Sequence, residues 1–173
     1  MIKAEIDTLI GLARQTDHCI VEVGTQYGHT CLELARAFPN RHIITIDNSK
    51  APTMCDGQME EKLPIREIGH LVRGLPNVLQ ADCDSAHFLC GTLKIGMVLI
   101  DGDHSYAGVK RDTEHWMQYF RTHSSGGMPR FIAWHDAHED RPAWIGVLEY
   151  LTKEITPRPW KRVDGTLLAY LKV

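Results

Sequence analysis

The sequence predicts an α/β fold, a doubly wound and mostly parallel sheet that ends in an antiparallel C-terminal hairpin strand. Three observations predict it. Short apolar runs alternate five times with stretches of helical spacing, acids and glycines stand directly after the apolar runs, and the last two strand-like segments lie too close together for a helical crossover.

Residues 3–15 open the chain as an amphipathic helix, with Ile6, Leu9, Ile10 and Ala13 on one face. His18 to Val23 (HCIVEV) reads as a buried strand that ends at Gly24, and residues 28–38 resume helical spacing through Cys31, Leu32, Leu34 and Ala35 before Pro39 stops it. Arg41 to Ile46 gives a second strand ending at Asp47. A helix is expected over about 57–74, with Pro64 starting or breaking a turn inside it. Asn77 to Ala81 is the third strand, 85–92 a short helix, and Gly96 to Ile100 (GMVLI) the fourth strand. Residues 106–121 form a long amphipathic helix through Val109, Trp116, Met117 and Phe120. Phe131 to Trp134 is the fifth strand, and 143–154 the last helix. Trp160 to Val163 and Leu167 to Val173 then form a hairpin, one of whose strands runs against the rest.

Composition narrows the function. The 173 residues are 43% hydrophobic and 24% charged, which suits one globular unit over 1–173 and not a disordered or coiled-coil chain. A net charge of −3 supplies no positive field for a phosphate backbone, so nucleic acid is not expected as a partner. No run approaches the roughly 18 apolar residues of a membrane span, and the N-terminus does not read as a signal peptide. Five cysteines, an odd number with no CxxC pair, fit reduced thiols in the cytoplasm.

In a parallel sheet, ligands sit beyond the carboxyl ends of the strands. After the first strand come Glu22, Gly24, Thr25, Gln26, Tyr27 and Gly28, a turn whose glycines let the backbone approach a ligand. The dinucleotide pattern GxGxxG is absent, and the plainer account of the turn is tight strand-to-helix packing. Asp47, followed by Asn48, stands 23 residues past Gly24, where a carboxylate commonly holds a ribose diol; a helix cap is the alternative. Asp82, Asp84 and Ser85 follow the third strand, one able to cap the next turn and another to face a ligand.

The segment after the fourth strand, IDGDHSY, crowds Asp101, Asp103 and His104 around Gly102, with Ser105 placed to cap the next helix. Carboxylates this close repel unless a cation or a proton intervenes. After the fifth strand stand His135 and Asp136. With the fourth and fifth strands as neighbours, Asp101, His135 and Asp136 flank one spot, a donor set for a six-coordinate Mg²⁺ or Mn²⁺. The plainer account is a set of loop hydrogen bonds and a helix cap.

Taken together, VEVGTQYGHT, TIDNS, IDGDHSYAGVKRD and AWHDA resemble the class I S-adenosylmethionine-dependent methyltransferases, with their Rossmann-like fold. Among these the chain is similar to the small bacterial O-methyltransferase group related to macrocin O-methyltransferase and the cephalosporin-hydroxylase-type proteins. The resemblance implies that Glu22, Gly24 and Gly28 line the methionine and ribose of S-adenosylmethionine, that Asp47 binds the ribose hydroxyls, and that Asp84 and Ser85 approach the adenine. It also implies a divalent metal on Asp101 and Asp136, with Asp103 as a candidate base. The chain departs from the group where His135 precedes Asp136, a place where relatives often carry two adjacent acids. It also lacks the N-terminal segment that many relatives use as cover, which leaves room for a second copy over the site.

On this reading the partner is a small-molecule hydroxyl acceptor. A metal held by the acids lowers the acceptor's pKa, and Asp103 or His104 takes its proton. Two other readings stay open: a metal-dependent oxygenase or hydrolase on Asp101, His135 and Asp136, and a scaffold that binds the cofactor without transferring a methyl group.

Overall fold

Alternating side chains along the central strands are apolar on both sides, which forces a sheet covered on both faces. The computed structural model describes residues 1–50, 53–55, 58–60, 67–139 and 145–173. Helix α1 spans Lys3–Ala13, strand β1 Cys19–Val23, α2 His29–Ala37, β2 Ile43–Asp47, β3 Thr53–Cys55, β4 Gln58–Glu60, β5 Val78–Asp82, β6 Ile95–Ile100, α3 Tyr106–Thr122, β7 Phe131–Trp134, α4 Ile145–Tyr150, β8 Lys161–Arg162 and β9 Ala169–Lys172.

Among the described residues, seven strands form one sheet in the order β5-β2-β1-β6-β7-β9-β8. Strands β5, β2, β1, β6 and β7 run parallel, and β9 pairs antiparallel with both β7 and β8. The reversed strand of the expected hairpin is therefore β9. The chain winds outward from β1 through β2 to β5, then returns to the other side of β1 with β6. The seam between β1 and β6 is thus the switch point where such sheets place their ligands.

The period-2 pattern sorts the core into two layers. Ile20, Ile43, Met97, Leu99, Phe131 and Ala133 pack with Leu9 and Leu12 of α1 and Leu34 of α2. Val21, Ile44, Ile46, Val98, Ile100, Ile132 and Trp134 pack on the other face with Val109, Trp116 and Phe120 of α3 and Val147 of α4. Each fully buried Ile, Leu, Val or Phe contributes roughly 1.5–3 kcal/mol over its exposed state. The indole of Trp134 also donates to Thr113 Oγ1 at 2.9 Å, so its polar end is satisfied inside the core.

Three local expectations change. The helix expected over 57–74 is not present where the structure describes that stretch: 58–60 is strand β4, paired antiparallel with β3, and 67–74 is a series of turns. Gly69 and Gly74, at φ of 60° and 84°, hold conformations that end helical growth. The helix expected over 85–92 shortens to a single 3₁₀ turn, Ser85–His87. On α1 the buried stripe is Glu5, Leu9, Leu12 and Ala13, while Ile6 and Ile10 are half-buried. Pro64 and the first two residues of the helix expected over 143–154 lie outside the described residues.

Candidate functional site

The turn after β1 is built against β6. Gly24 adopts φ of 94°, and a Cβ there would lie 2.1 Å from the carbonyl oxygen of Asp101, so only glycine lets the two backbones meet. Gln26 is also left-handed, at φ of 46°, and its amide donates to Asp47 Oδ2 at 3.0 Å. Gly28, at φ of 91°, starts α2. Beneath this turn Glu22 is buried. Thr45 Oγ1 donates to its Oε2 at 2.5 Å, and the Thr25 and Thr45 hydroxyls lie 2.7 Å apart. Burial pushes the Glu22 carboxyl up to about 8 despite the bond from Thr45. Glu22 and Thr25 thus support the turn from below, while Gln26 is exposed on top and Tyr27 sets its ring edge-on to His29 and His70.

Asp47 and Asp82 sit opposite each other at the ends of β2 and β5. Burial raises the Asp47 carboxyl above its ordinary range, and donors including the Gln26 amide pull it back. Asp82 accepts from Ser49 at both oxygens, N at 2.9 Å and Oγ at 2.7 Å, and Asn48 Oδ1 accepts from the Lys50 amide. The trio after β5 is resolved in part. Asp84 caps the 3₁₀ turn by accepting from the Ala86 amide at 2.9 Å, and the buried Ser85 hydroxyl donates to Asp112 of α3 at 2.6 Å. Asp112 was not singled out by sequence; its pairing with Ser85 depends on how α3 docks.

At the ends of β6 and β7, Asp101 and Asp136 are bridged by two imidazoles. His104 Nε2 lies 3.4 Å from Asp101 Oδ1 and 3.0 Å from Asp136 Oδ2. His135 Nδ1 lies 3.2 Å from Asp101 Oδ1 and 3.0 Å from Asp136 Oδ2. Burial alone would lower both rings, yet hydrogen bonds and charge from the two carboxylates prevail and push His104 up to about 9 and His135 up to about 10. The same contacts hold Asp101 and Asp136 below the usual carboxylate range, against the opposing effect of burial.

Asp136 itself is left-handed at φ of 57°, an uncommon conformation outside glycine. It is 4% exposed, and its Oδ1 has no hydrogen-bond partner among the described residues. Asp101, His104 and Asp136 offer ligand atoms that all lie within 4.8 Å of one another. An orphaned carboxylate oxygen beside a second acid and two ring nitrogens fits a hard divalent cation such as Mg²⁺ or Mn²⁺. Asp103 is not in this group; its Oδ1 accepts from the Ser105 amide at 2.9 Å, while Ser105 Oγ caps α3 by accepting from Gly108 N at 3.0 Å.

One participant escaped the sequence reading. Glu5 of α1 is 2% exposed, and its Oε2 lies 3.3 Å from His135 Nε2. The signal was a charge at the i, i+4, i+7 spacing of Glu5, Leu9 and Leu12, inside the stripe that faces the sheet. A cleft of about 540 Å³ opens here, lined by Ile2, Glu5, His135, Asp136, Thr166 and Leu167 among others.

No curated protein matches the chain at a significant level. Several solved structures share its fold. CalS11, a TDP-rhamnose 3'-O-methyltransferase of calicheamicin biosynthesis, is 17% identical with a TM-score of 0.70, over 98% of this chain and 78% of that one. A Staphylococcus aureus structure named as a candidate caffeoyl-CoA O-methyltransferase is 14% identical with a TM-score of 0.67, over 100% of this chain and 85% of that one. A candidate O-methyltransferase from Klebsiella pneumoniae is 16% identical with a TM-score of 0.62, over 100% and 82%. At such identities the likeness is one of fold. The sequence adds the family: a model described as a methyltransferase domain matches residues 21–137, from β1 through the turn and the acids to the residue after Asp136. That match spans more than half of the chain, and the chain belongs to the methyltransferase-domain family.

Proposed function

We propose that this chain is an S-adenosylmethionine-dependent O-methyltransferase that acts as one unit on a hydroxyl of a small molecule, assisted by a divalent cation. The observation that carries the reading is the convergence of Asp101 and Asp136 with two histidines beside an open cleft, one strand away from the Gly24 turn.

Bound S-adenosylmethionine supplies a methyl group already activated by its sulfonium charge, and a cation on Asp101 and Asp136 supplies Lewis acidity toward the acceptor oxygen. The chain's own residues do the rest. The turn from Gly24 to Gly28 brings backbone close to the cofactor, and Asp47 accepts from the ribose hydroxyls, with Asn48, Asp82 and Asp84 along the same edge. Glu22, Thr25 and Thr45 stiffen the turn from beneath. The cleft holds the acceptor in line, which is most of what a displacement at an activated methyl needs. Asp103, held on the Ser105 amide, or His104 Nε2 takes the acceptor's proton; His104, pushed up to about 9 by the two acids, can do so only once its own proton has been displaced by a cation on those acids.

A metal-dependent oxygenase is the second reading, favoured by the two histidines and two acids together. Titration with S-adenosylmethionine and S-adenosylhomocysteine, with and without Mn²⁺, followed by assay of vicinal diols, separates them. Binding of both nucleosides and donor-dependent turnover are expected; metal-dependent turnover without the donor overturns the proposal.

The four free cysteines among the described residues support a reducing, cytoplasmic setting. No described helix is long and apolar enough to cross a membrane. A second copy of the chain over the cleft remains part of the proposal, tested by the mass of the particle in solution.

A further inference from the structure

We propose that Glu5 is a positioning residue for the divalent site: it fixes the His135 ring so that Nδ1, and not Nε2, faces Asp101 and Asp136. The inference rests on the cation reading above and adds His135 Nδ1 to the ligand atoms that Asp101, His104 and Asp136 offer.

The argument is one of donors and acceptors. Glu5 Oε1 accepts from the Leu167 amide at 2.9 Å, and Oε2 accepts from the Ile2 amide at 2.8 Å. An ionised carboxylate carries no proton and only accepts, which suits the two backbone amides, since an amide N–H can only donate. The third group at this carboxylate, His135 Nε2 at 3.3 Å, must therefore donate as well. With the proton of Nε2 held there, Nδ1 is the nitrogen left to meet the acids, at 3.2 Å from Asp101 and 3.0 Å from Asp136. A carboxylate behind a histidine is the usual device for fixing which nitrogen binds a metal and for raising its basicity. Turning the ring away would leave a buried carboxylate short of a donor.

A purely structural Glu5, one that only ties α1 to the β8–β9 turn, predicts different results. The test combines Mn²⁺ calorimetry on wild type, Glu5→Gln, His135→Ala and the double variant with NMR of the His135 ring nitrogens, and circular dichroism to check folding. Wild type is expected to keep Nε2 protonated with and without Mg²⁺. Glu5→Gln is expected to weaken Mn²⁺ by about tenfold or more, with no further loss when added to His135→Ala. A folded Glu5→Gln that binds Mn²⁺ within about twofold of wild type, or losses that simply add, overturns the proposal. So does a ring whose Nδ1 stays protonated in the Mg²⁺-loaded protein. If wild type binds no Mn²⁺, the cation reading falls, and the ring spectrum still decides the positioning: a hydrogen-bonded Nε2–H that is lost in Glu5→Gln upholds it, and an unchanged ring sinks it. If Glu5→Gln does not fold, the wild-type ring spectrum decides.

Discussion

A Cβ at position 24 would stand 2.1 Å from the carbonyl oxygen of Asp101, so Gly24 and Asp101 meet backbone to backbone across the seam between β1 and β6. The turn proposed to receive the cofactor and the acid proposed to hold the cation are therefore parts of one rigid contact. Gly24→Ala adds both an overlap with backbone and a strained φ. It is expected to cost about 3 kcal/mol, a fall of roughly 6–12 °C in the unfolding midpoint, and to weaken S-adenosylhomocysteine binding in the fraction that folds. Thermal unfolding followed by calorimetry checks both.

Asp47→Ala removes the acceptor at the end of β2 and the partner of the Gln26 amide. Affinity for S-adenosylhomocysteine is expected to fall by about tenfold, a loss of one charge-assisted bond or more. Unchanged affinity in a folded variant removes the ribose assignment.

Glu22 gives a pH signature. Its folded carboxyl is pushed up to about 8 from an ordinary value of 4.5, so the folded state keeps a proton that the unfolded chain releases. That stability is fully present below the unfolded value and is lost as pH rises through about 8, at up to about 1.4 kcal/mol per pH unit. Glu22→Gln keeps the shape without the proton. Urea unfolding at several pH values across that window should show a flatter profile in the variant.

Ser85→Ala leaves the buried Asp112 carboxylate without its hydroxyl donor, with Arg111 Nε at 3.4 Å as its remaining support. The expected outcome is a loss of about 1–2 kcal/mol in stability with nucleoside affinity within about twofold of wild type. A large affinity loss at unchanged stability would place the hydroxyl on the adenine instead.

Asp136→Asn suits the left-handed backbone, since a short amide tolerates it, but removes the charge between the two rings. His104 and His135 are expected to fall from about 9 and about 10 toward 6.5, read by NMR titration of the ring protons. Mn²⁺ affinity should drop by more than about 100-fold, beyond what loss of an outer partner causes. Rings that titrate unchanged would mean that Asp136 does not set their charge.

The sequence made some of this legible and hid the rest for physical reasons. Asp47, Asp101 and Asp136 were readable because the first two follow an apolar run directly and the third stands one residue beyond one, and a parallel sheet sends every strand end to one edge. The antiparallel β9 followed from a separation too short for a crossover. Helical spacing over 57–74 misled because two glycines with positive φ outweigh periodicity. Glu5 and the Ser85–Asp112 pair were hidden because their partners are distant in sequence and meet only through the docking of α1 and α3. Which of His104 and His135 faces the acids with which nitrogen is a matter of rotamer, and no pattern of residue types encodes that.

The bond from the Leu167 amide to Glu5 joins residues 162 positions apart. A contact of that span is among the last to form during folding, because the whole intervening loop must already be ordered. On the ribosome, β1, β2 and the turn at Gly24 can associate while the later chain is still being made. The His135 support cannot, since residue 167 has to emerge first. The proposed site is therefore completed only after the five parallel strands have been made, and a nascent chain with most of its core in place is still without a finished site.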